Sequence, residues 1–395
     1  MTPRAVHPLT FLRGAEPQLV RLMWLYLAMK ASLIAVGLLA GHLLPFNWGL
    51  YRTNLLLDIQ QLPDWMRPFN TWDTQHYIFL AENGYGVNPM SNAFYPLYPY
   101  LIWLTAPLFA GKPLIAAWVV ANLVSFLVPV YLYKVARLFF SETLAFRSAM
   151  FQLAFPTAFF LSVGYSEATY LALCLMAFYY VFVKDLPKAC LFSFLLPLAR
   201  AQALLFVLPI GVLFLEQCYQ GRADMPASVK AAFRAYAPPA VATLLGMAVY
   251  FGLCRWLLGG YFDGLKAQQL YVSNNSVGNL LNPYRWFMTN FVDISLQLHT
   301  YSTSMIDRAA FILFAPMLIG IYFTQNKALF VYALSTLLIP AMAGTFMSYT
   351  RVLMVVFPIS IYLGTRSWRT EYLMVPMFAL QILFYLMHTG GYWVA

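Results

Sequence analysis

Long apolar runs, broken by two polar and aromatic-rich stretches, organise this chain. The runs lie at 20–44, 114–133, 148–163, 167–183, 189–199, 202–218, 236–258, 306–323, 328–347, 352–365 and 371–388. Most approach the roughly 17–25 residues that cross a bilayer as helix. Backbone amides cannot stay unpaired in hydrocarbon, and the runs are too continuous for the alternating strands of a barrel. The pattern predicts an all-α polytopic membrane protein, one domain over 1–395 with about 11 transmembrane helices. The stretches 45–92 and 259–305 are its two large loops.

The run 93–110 is ambiguous, because counting it as a span reverses the orientation of everything after it. Left out, it places fourteen of the 24 Lys and Arg residues on the face that holds the N-terminus, among them Arg4, Arg13, Lys134, Arg137, Arg234 and Arg369. Nine lie on or near the other face, and Lys30 sits inside the first span. The excess marks the N-terminal face as cytoplasmic. With Pro96, Pro99 and Pro107, 93–110 reads as an interfacial or re-entrant helix, and 45–113 becomes the first extracytoplasmic loop. The run 189–199 ends at Arg200 and is too short to cross alone in a regular way. Asp58, Asp64, Asp73, Glu82, Glu167, Asp263, Asp293 and Asp307 then share the outer face.

Composition agrees with the runs. Of 395 residues 62% are hydrophobic and 10% charged, with a mean hydropathy of +0.67, more apolar surface than a soluble domain of this size can hide. The net charge of +10 is spread singly along the chain, so topology explains it better than a nucleic-acid partner. Cys174, Cys190, Cys218 and Cys254 lie in or beside apolar runs as packing residues. About twenty mixed residues precede the first run, which is expected to be a retained span rather than a cleaved signal.

Candidate chemistry gathers in the outer loops. Asp73 follows Thr71 and Trp72 with Gly84 eleven residues on, the layout of a short helix starting near Asn70 or Thr71 and closing at Gly84. Asp73 and His76, three apart, share one face of it. Asp73 reads equally as a first-turn carboxylate answering the helix dipole. Glu167 follows Tyr165 and Ser166 at an outer turn, where Ser166 can cap the next helix. A carboxylate inside a membrane costs roughly 2.5–3.5 kcal/mol at the centre and less near the surface. Arg200 and Arg351 adjoin apolar helix on the same side and offer forked donors to phosphate, or simply snorkel to lipid headgroups. No Asp-x-Asp or Asp-x-Glu pair suited to a metal-bound nucleotide sugar occurs, no Gly-x-x-x-x-Gly-Lys loop, and no ligand spacing among His7, His42, His76, His299 and His388. A nucleotide-driven pump and a zinc hydrolase are disfavoured.

Trp72-Asp73-Thr74-Gln75-His76-Tyr77, Gly84-Tyr85, Phe94-Tyr95-Pro96-Leu97-Tyr98-Pro99, Tyr165-Ser166-Glu167, Leu198-Ala199-Arg200 and Tyr349-Thr350-Arg351 with Pro358 together resemble the bacterial relatives of GPI mannosyltransferase 2. That PIG-V-like family belongs to the GT-C superfamily of integral-membrane glycosyltransferases. The motifs run in family order from about 70 to 360; the first block is fairly specific and the later ones persuade in series. Tyr95 departs from a phenylalanine found in many relatives, and the chain is shorter than the eukaryotic members.

The resemblance implies an inverting transferase that moves a sugar, mannose by family, from a polyprenyl-phosphate donor to a lipid, glycan or protein acceptor. It implies the outer face of a bacterial plasma membrane and needs neither metal nor cofactor. Asp73 maps to the catalytic carboxylate, with Glu167 as second candidate and His76 to orient base or acceptor. Arg200 and Arg351 would bind the donor phosphate, and Trp72, Tyr95, Tyr98, Tyr165 and Tyr349 the substrates. The rivals are a transporter or flippase of lipid-linked sugars, expected to show broken helices in two related halves, and a non-catalytic scaffold of a glycosylation complex.

Overall fold

The computed structural model describes residues 16–52, 56, 64–271, 277–292 and 304–394. Arg4, His7, Arg13, Asp58, Asp293 and His299 lie outside the described residues. Within them every regular element is helical. Six helical stretches are long and apolar enough to cross a membrane: Pro17–Leu43, Pro113–Arg137, Ala201–Gln220, Arg222–Leu258, Met305–Thr324 and Glu371–Thr389. This is the architecture of an integral membrane protein. The 34-residue helix Met225–Leu258 is about 51 Å long at 1.5 Å per residue, so it outreaches a hydrocarbon layer of about 30 Å. Its first turns carry Lys230 and Arg234, both exposed.

Among the described residues six stretches are of crossing length, and proline breaks two of the remaining runs. The run 148–163 is not one helix. Glu142–Ala154 stops where Phe155 turns extended, at ψ 137, because Pro156 disfavours a helical residue before it. A short 3-10 turn, Ala158–Leu161, follows. The run 352–365 divides into Tyr349–Met354 and Pro358–Gly364, with Pro358 opening the second piece. Glu167–Phe182 and Leu186–Ala199, with 16 and 14 residues, are apolar but short of a regular crossing, and Lys327–Ala343, with 17, only reaches its lower limit. The ambiguous run holds nine residues of α-helix, Leu97–Thr105, and four of 3-10 helix, Ala106–Phe109, also short of a regular crossing.

These interruptions position the site. Irregular backbone survives at membrane depth only where protein buries it or water lines it. Glu167, Arg200 and Arg351 each sit within a few residues of a helix break. Close packing holds the broken pieces. Leu186–Ala199 lies against Met225–Leu258 and Glu167–Phe182, and at Gly246 a side chain would run into the carbonyl oxygen of Phe194. Glycine there lets two backbones approach as small residues do between membrane helices.

Lys30, inside the first helix, is 3% exposed. Its ammonium donates to the Leu161 carbonyl at 2.6 Å, Ser162 Oγ at 2.8 Å and Asn122 Oδ1 at 3.1 Å. It is a three-armed clamp on the turn that leads to Glu167.

Candidate active site

The short helix Asp73–Asn83 begins one residue later than Trp72, because Trp72 stands at φ 52, ψ −121, outside the helical region, and the helix closes at Gly84 with φ 72. Side chains beyond Cβ rarely tolerate positive φ, so the Trp72 backbone stores strain that its surroundings must hold. They do so from the far end of the chain. Trp72 Nε1 donates to the Tyr392 carbonyl at 3.0 Å and the ring meets Trp393 edge-on at 5.1 Å. The Thr71 hydroxyl lies 3.0 Å from His388 Nε2. Asp73 is thereby placed by a carboxy-terminal strap, and its own amide donates to the Tyr165 hydroxyl at 3.1 Å.

Two carboxylates and two guanidiniums interlock. Arg351 Nη1 lies 2.6 Å from Asp73 Oδ2, and its Nε lies 3.3 Å from Glu167 Oε1. The same Glu167 oxygen pairs with Arg200 Nη1. The side chain of Glu167 is 1% exposed and that of Arg351 12%, so each charge rests on its partners rather than on water. The Arg351 guanidinium also stands over Phe160 and Tyr165, 5.5 Å from each centroid, a favourable place for a cation. Glu167 Oε2 has no hydrogen-bond partner among the described residues. Arg351 is presented by a second positive-φ residue, Ser348 at φ 56, and the Thr350 amide donates to Asp307 at 2.8 Å.

Asp73, Arg200 and Arg351 face a cavity of about 730 Å³. Trp72, Tyr77, Phe94, Tyr95, Ser166, Tyr271, Tyr349 and Trp393 also line it, and Leu204, Leu205, Leu270, Ile339 and Pro340 supply an apolar stretch of its wall. The lining thus combines two guanidiniums and a carboxylate with apolar side chains. Among the described residues no group of three or more His, Cys, Asp or Glu side chains is placed to hold a metal ion.

The other residues singled out from sequence sit differently. His76 is 1% exposed; its Nδ1 meets Ser91 Oγ at 2.9 Å, and its ring stacks on Phe94 at 4.7 Å. The Tyr271 hydroxyl lies 3.4 Å from Nε2. Burial pushes its pKa down to about 4, with the Asp73 charge opposing that shift. Tyr165 is fully buried beneath the charged layer. Tyr95 stacks on Tyr250 at 4.2 Å. Tyr98 is away from the cavity wall, wholly buried, with its hydroxyl donating to the Ala117 carbonyl at 2.7 Å. Ser166 does not cap its helix with its side chain; its hydroxyl pairs with that of Tyr77 at 2.7 Å, which leaves Glu167 to meet the arginines.

Four contributors escaped the sequence reading. Lys30 was legible only as a charge inside an apolar run. Trp393 and the carbonyl of Tyr392 carried no signal, because their role depends on where the last helix ends. Gln152, whose Nε2 donates to the Met354 carbonyl at 2.9 Å, braces the Arg351 segment from a helix some two hundred positions away.

A comparison with curated proteins finds no match. Solved structures that resemble the chain include the oligosaccharyltransferase of Archaeoglobus fulgidus in the apo form, at TM-score 0.49 and 11% identity, covering 93% of this chain and 56% of that one. The archaeal oligosaccharyltransferase AglB from Archaeoglobus fulgidus, in complex with an inhibitory peptide and a dolichol-phosphate, scores 0.47 at 12% identity over the same shares. This chain spans a little over half the length of those enzymes. The family model described as Mannosyltransferase (PIG-V) matches residues 59–241. That match takes in the segment that carries Asp73, Tyr165, Glu167 and Arg200.

Proposed function

We propose that this protein is an inverting glycosyltransferase. It moves a sugar, mannose by family, from a polyprenyl-phosphate donor to an acceptor hydroxyl on the extracytoplasmic side of a membrane. The observation that carries this reading is the convergence of Asp73, Arg200 and Arg351 on one cavity with an apolar stretch of wall. The family match supports glycosyl transfer, and the excess of Lys and Arg on the N-terminal face supports the orientation.

The chemistry follows from the charges. The acceptor oxygen attacks the anomeric carbon while Asp73 takes its proton, and the bond from that carbon to the phosphate oxygen breaks. Polyprenyl phosphate leaves with added negative charge, which Arg200 and Arg351 stabilise as that charge develops. Leu204, Leu205 and Leu270 offer the first prenyl units an apolar wall. His76 touches Ser91, Phe94 and Tyr271 and fits a positioning role, holding the rim of the cavity. Glu167 keeps both guanidiniums aimed at the phosphate.

Purified protein in detergent or nanodiscs, given a panel of polyprenyl-phosphate sugars, tests the reading. One donor should be consumed by the wild type and left intact by Asp73→Asn. No donor consumed by the wild type would leave only a scaffold or a carrier, and equal consumption by both proteins would move the base away from Asp73.

A further inference from the structure

Arg351 hangs from a backbone that other segments of the chain hold. Its helix, Tyr349–Met354, follows Ser348, whose left-handed φ of 56 comes without a side-chain cap. The first amides of a helix have no partner within it, so each needs an acceptor from outside. For Thr350 that acceptor is Asp307, whose Oδ1 takes the amide at 2.8 Å from 43 positions away. Asp307 is wholly buried, in the first turn of Met305–Phe314.

The other side of the same residue is held as well. The Thr350 carbonyl accepts from Thr157 Oγ1 at 2.9 Å. Thr157 is also wholly buried and heads the 3-10 turn Ala158–Leu161, which follows Pro156. That turn grips Arg351 twice, because its Phe160 lies 5.5 Å below the guanidinium. The bonds from Asp307 and Thr157 fix two adjacent peptide planes, and the second plane carries the Cα of Arg351. A guanidinium rides at the end of a long side chain, so a small tilt of that plane becomes a larger shift at its nitrogens. Forked pairing with an oxyanion depends on where those nitrogens stand.

From this geometry we infer that Asp307 and Thr157 are positioning residues for the donor phosphate, acting on it through the Thr350 backbone and Arg351. Neither lines the cavity, so neither touches the donor itself. The inference rests on the glycosyltransferase reading, which puts Arg351 on that phosphate. It adds two residues to which that reading gives no part.

A double-mutant cycle on the purified protein tests it, with farnesyl phosphate as the probe in isothermal titration. Asp307→Ala and the near-isosteric Thr157→Val should each weaken binding about tenfold, within the range by which residues of one network couple. In an Arg351→Gln background neither should weaken it further, because the guanidinium they aim is gone. Asp307→Asn keeps an oxygen for the Thr350 amide and should recover most of the affinity. In turnover, both Asp307→Ala and Thr157→Val should raise donor KM more than they lower kcat. Should Asp307→Ala not fold, Thr157→Val carries the same cycle. Unchanged affinity in Thr157→Val, or losses that add in full on top of Arg351→Gln, would overturn the positioning role and leave the donor site standing. Unchanged affinity in Arg351→Gln itself would remove that guanidinium from the donor site, and the positioning role with it.

Discussion

Arg351 and Asp73, 278 positions apart in the chain, meet with Nη1 2.6 Å from Oδ2. That contact occupies a carboxylate oxygen that would otherwise be open to an acceptor hydroxyl. On the proposed function, a donor phosphate entering the cavity would compete for the same guanidinium. Arg351 turning to phosphate oxygens would then uncover Asp73 for the acceptor hydroxyl, so that donor binding and exposure of the base would be one event.

That coupling predicts an uneven effect for Asp73→Asn. Transfer should fall about 10²–10⁴-fold, the usual contribution of a positioned base. Affinity for polyprenyl phosphate should hold or rise, since Arg351 loses its internal competitor. Equilibrium binding beside steady-state turnover separates the two, and a large loss of donor affinity would contradict the exchange.

Glu167 keeps two like charges together. Glu167→Gln leaves Arg200 and Arg351 near each other without a shared anion, and breaking a buried pair costs about 3–5 kcal/mol. Thermal unfolding should show a clear drop in midpoint, with donor KM raised more than kcat is lowered. A midpoint within error of wild type would place the pair in water.

His76 supplies a pH signature. Its folded pKa near 4 lies below the unfolded value of about 6.5, so between those pH values the unfolded chain binds the extra proton. Stability is fully present above about 6.5 and is lost as pH falls toward 4, by about 3 kcal/mol at 1.36 kcal/mol per unit. His76→Gln should flatten that slope in thermal melts from pH 7 to pH 4. Over pH 5–9 the ring stays neutral, so no limb of the rate profile there should disappear in the variant.

Lys30 is predicted to act through the turn it holds. Lys30→Met strands the Leu161 carbonyl, Ser162 and Asn122, at about 1–3 kcal/mol for each buried group left unpaired. Expected are a lower melting midpoint and reduced transfer, with Lys30→Arg restoring part of each.

Ser348 pays for its φ of 56 with no hydrogen bond from its hydroxyl among the described residues. A left-handed conformation costs a non-glycine residue roughly 1–2 kcal/mol. Ser348→Gly should therefore raise the melting midpoint by a few degrees, measured against wild type in the same detergent. An unchanged or lower midpoint would mean the strain is held elsewhere.

Composition and run length were enough to read a helical membrane protein, because the cost of exposing apolar surface or unpaired amides depends on no particular partner. The Trp72–Tyr77 block and Tyr165-Ser166-Glu167 were legible too, since charged groups beside hydrocarbon are costly enough to stand out. The runs 148–163 and 352–365 did not become single helices, because Pro156 and Pro358 break the backbone locally while leaving hydropathy unchanged. The pairing of Asp73 with Arg351, the sharing of Glu167 with Arg200, and the strap of Tyr392 and Trp393 over Trp72 came only with the folded chain. Electrostatic pairing and cavity shape depend on distances of a few ångströms between segments hundreds of residues apart, and no spacing along the chain encodes those.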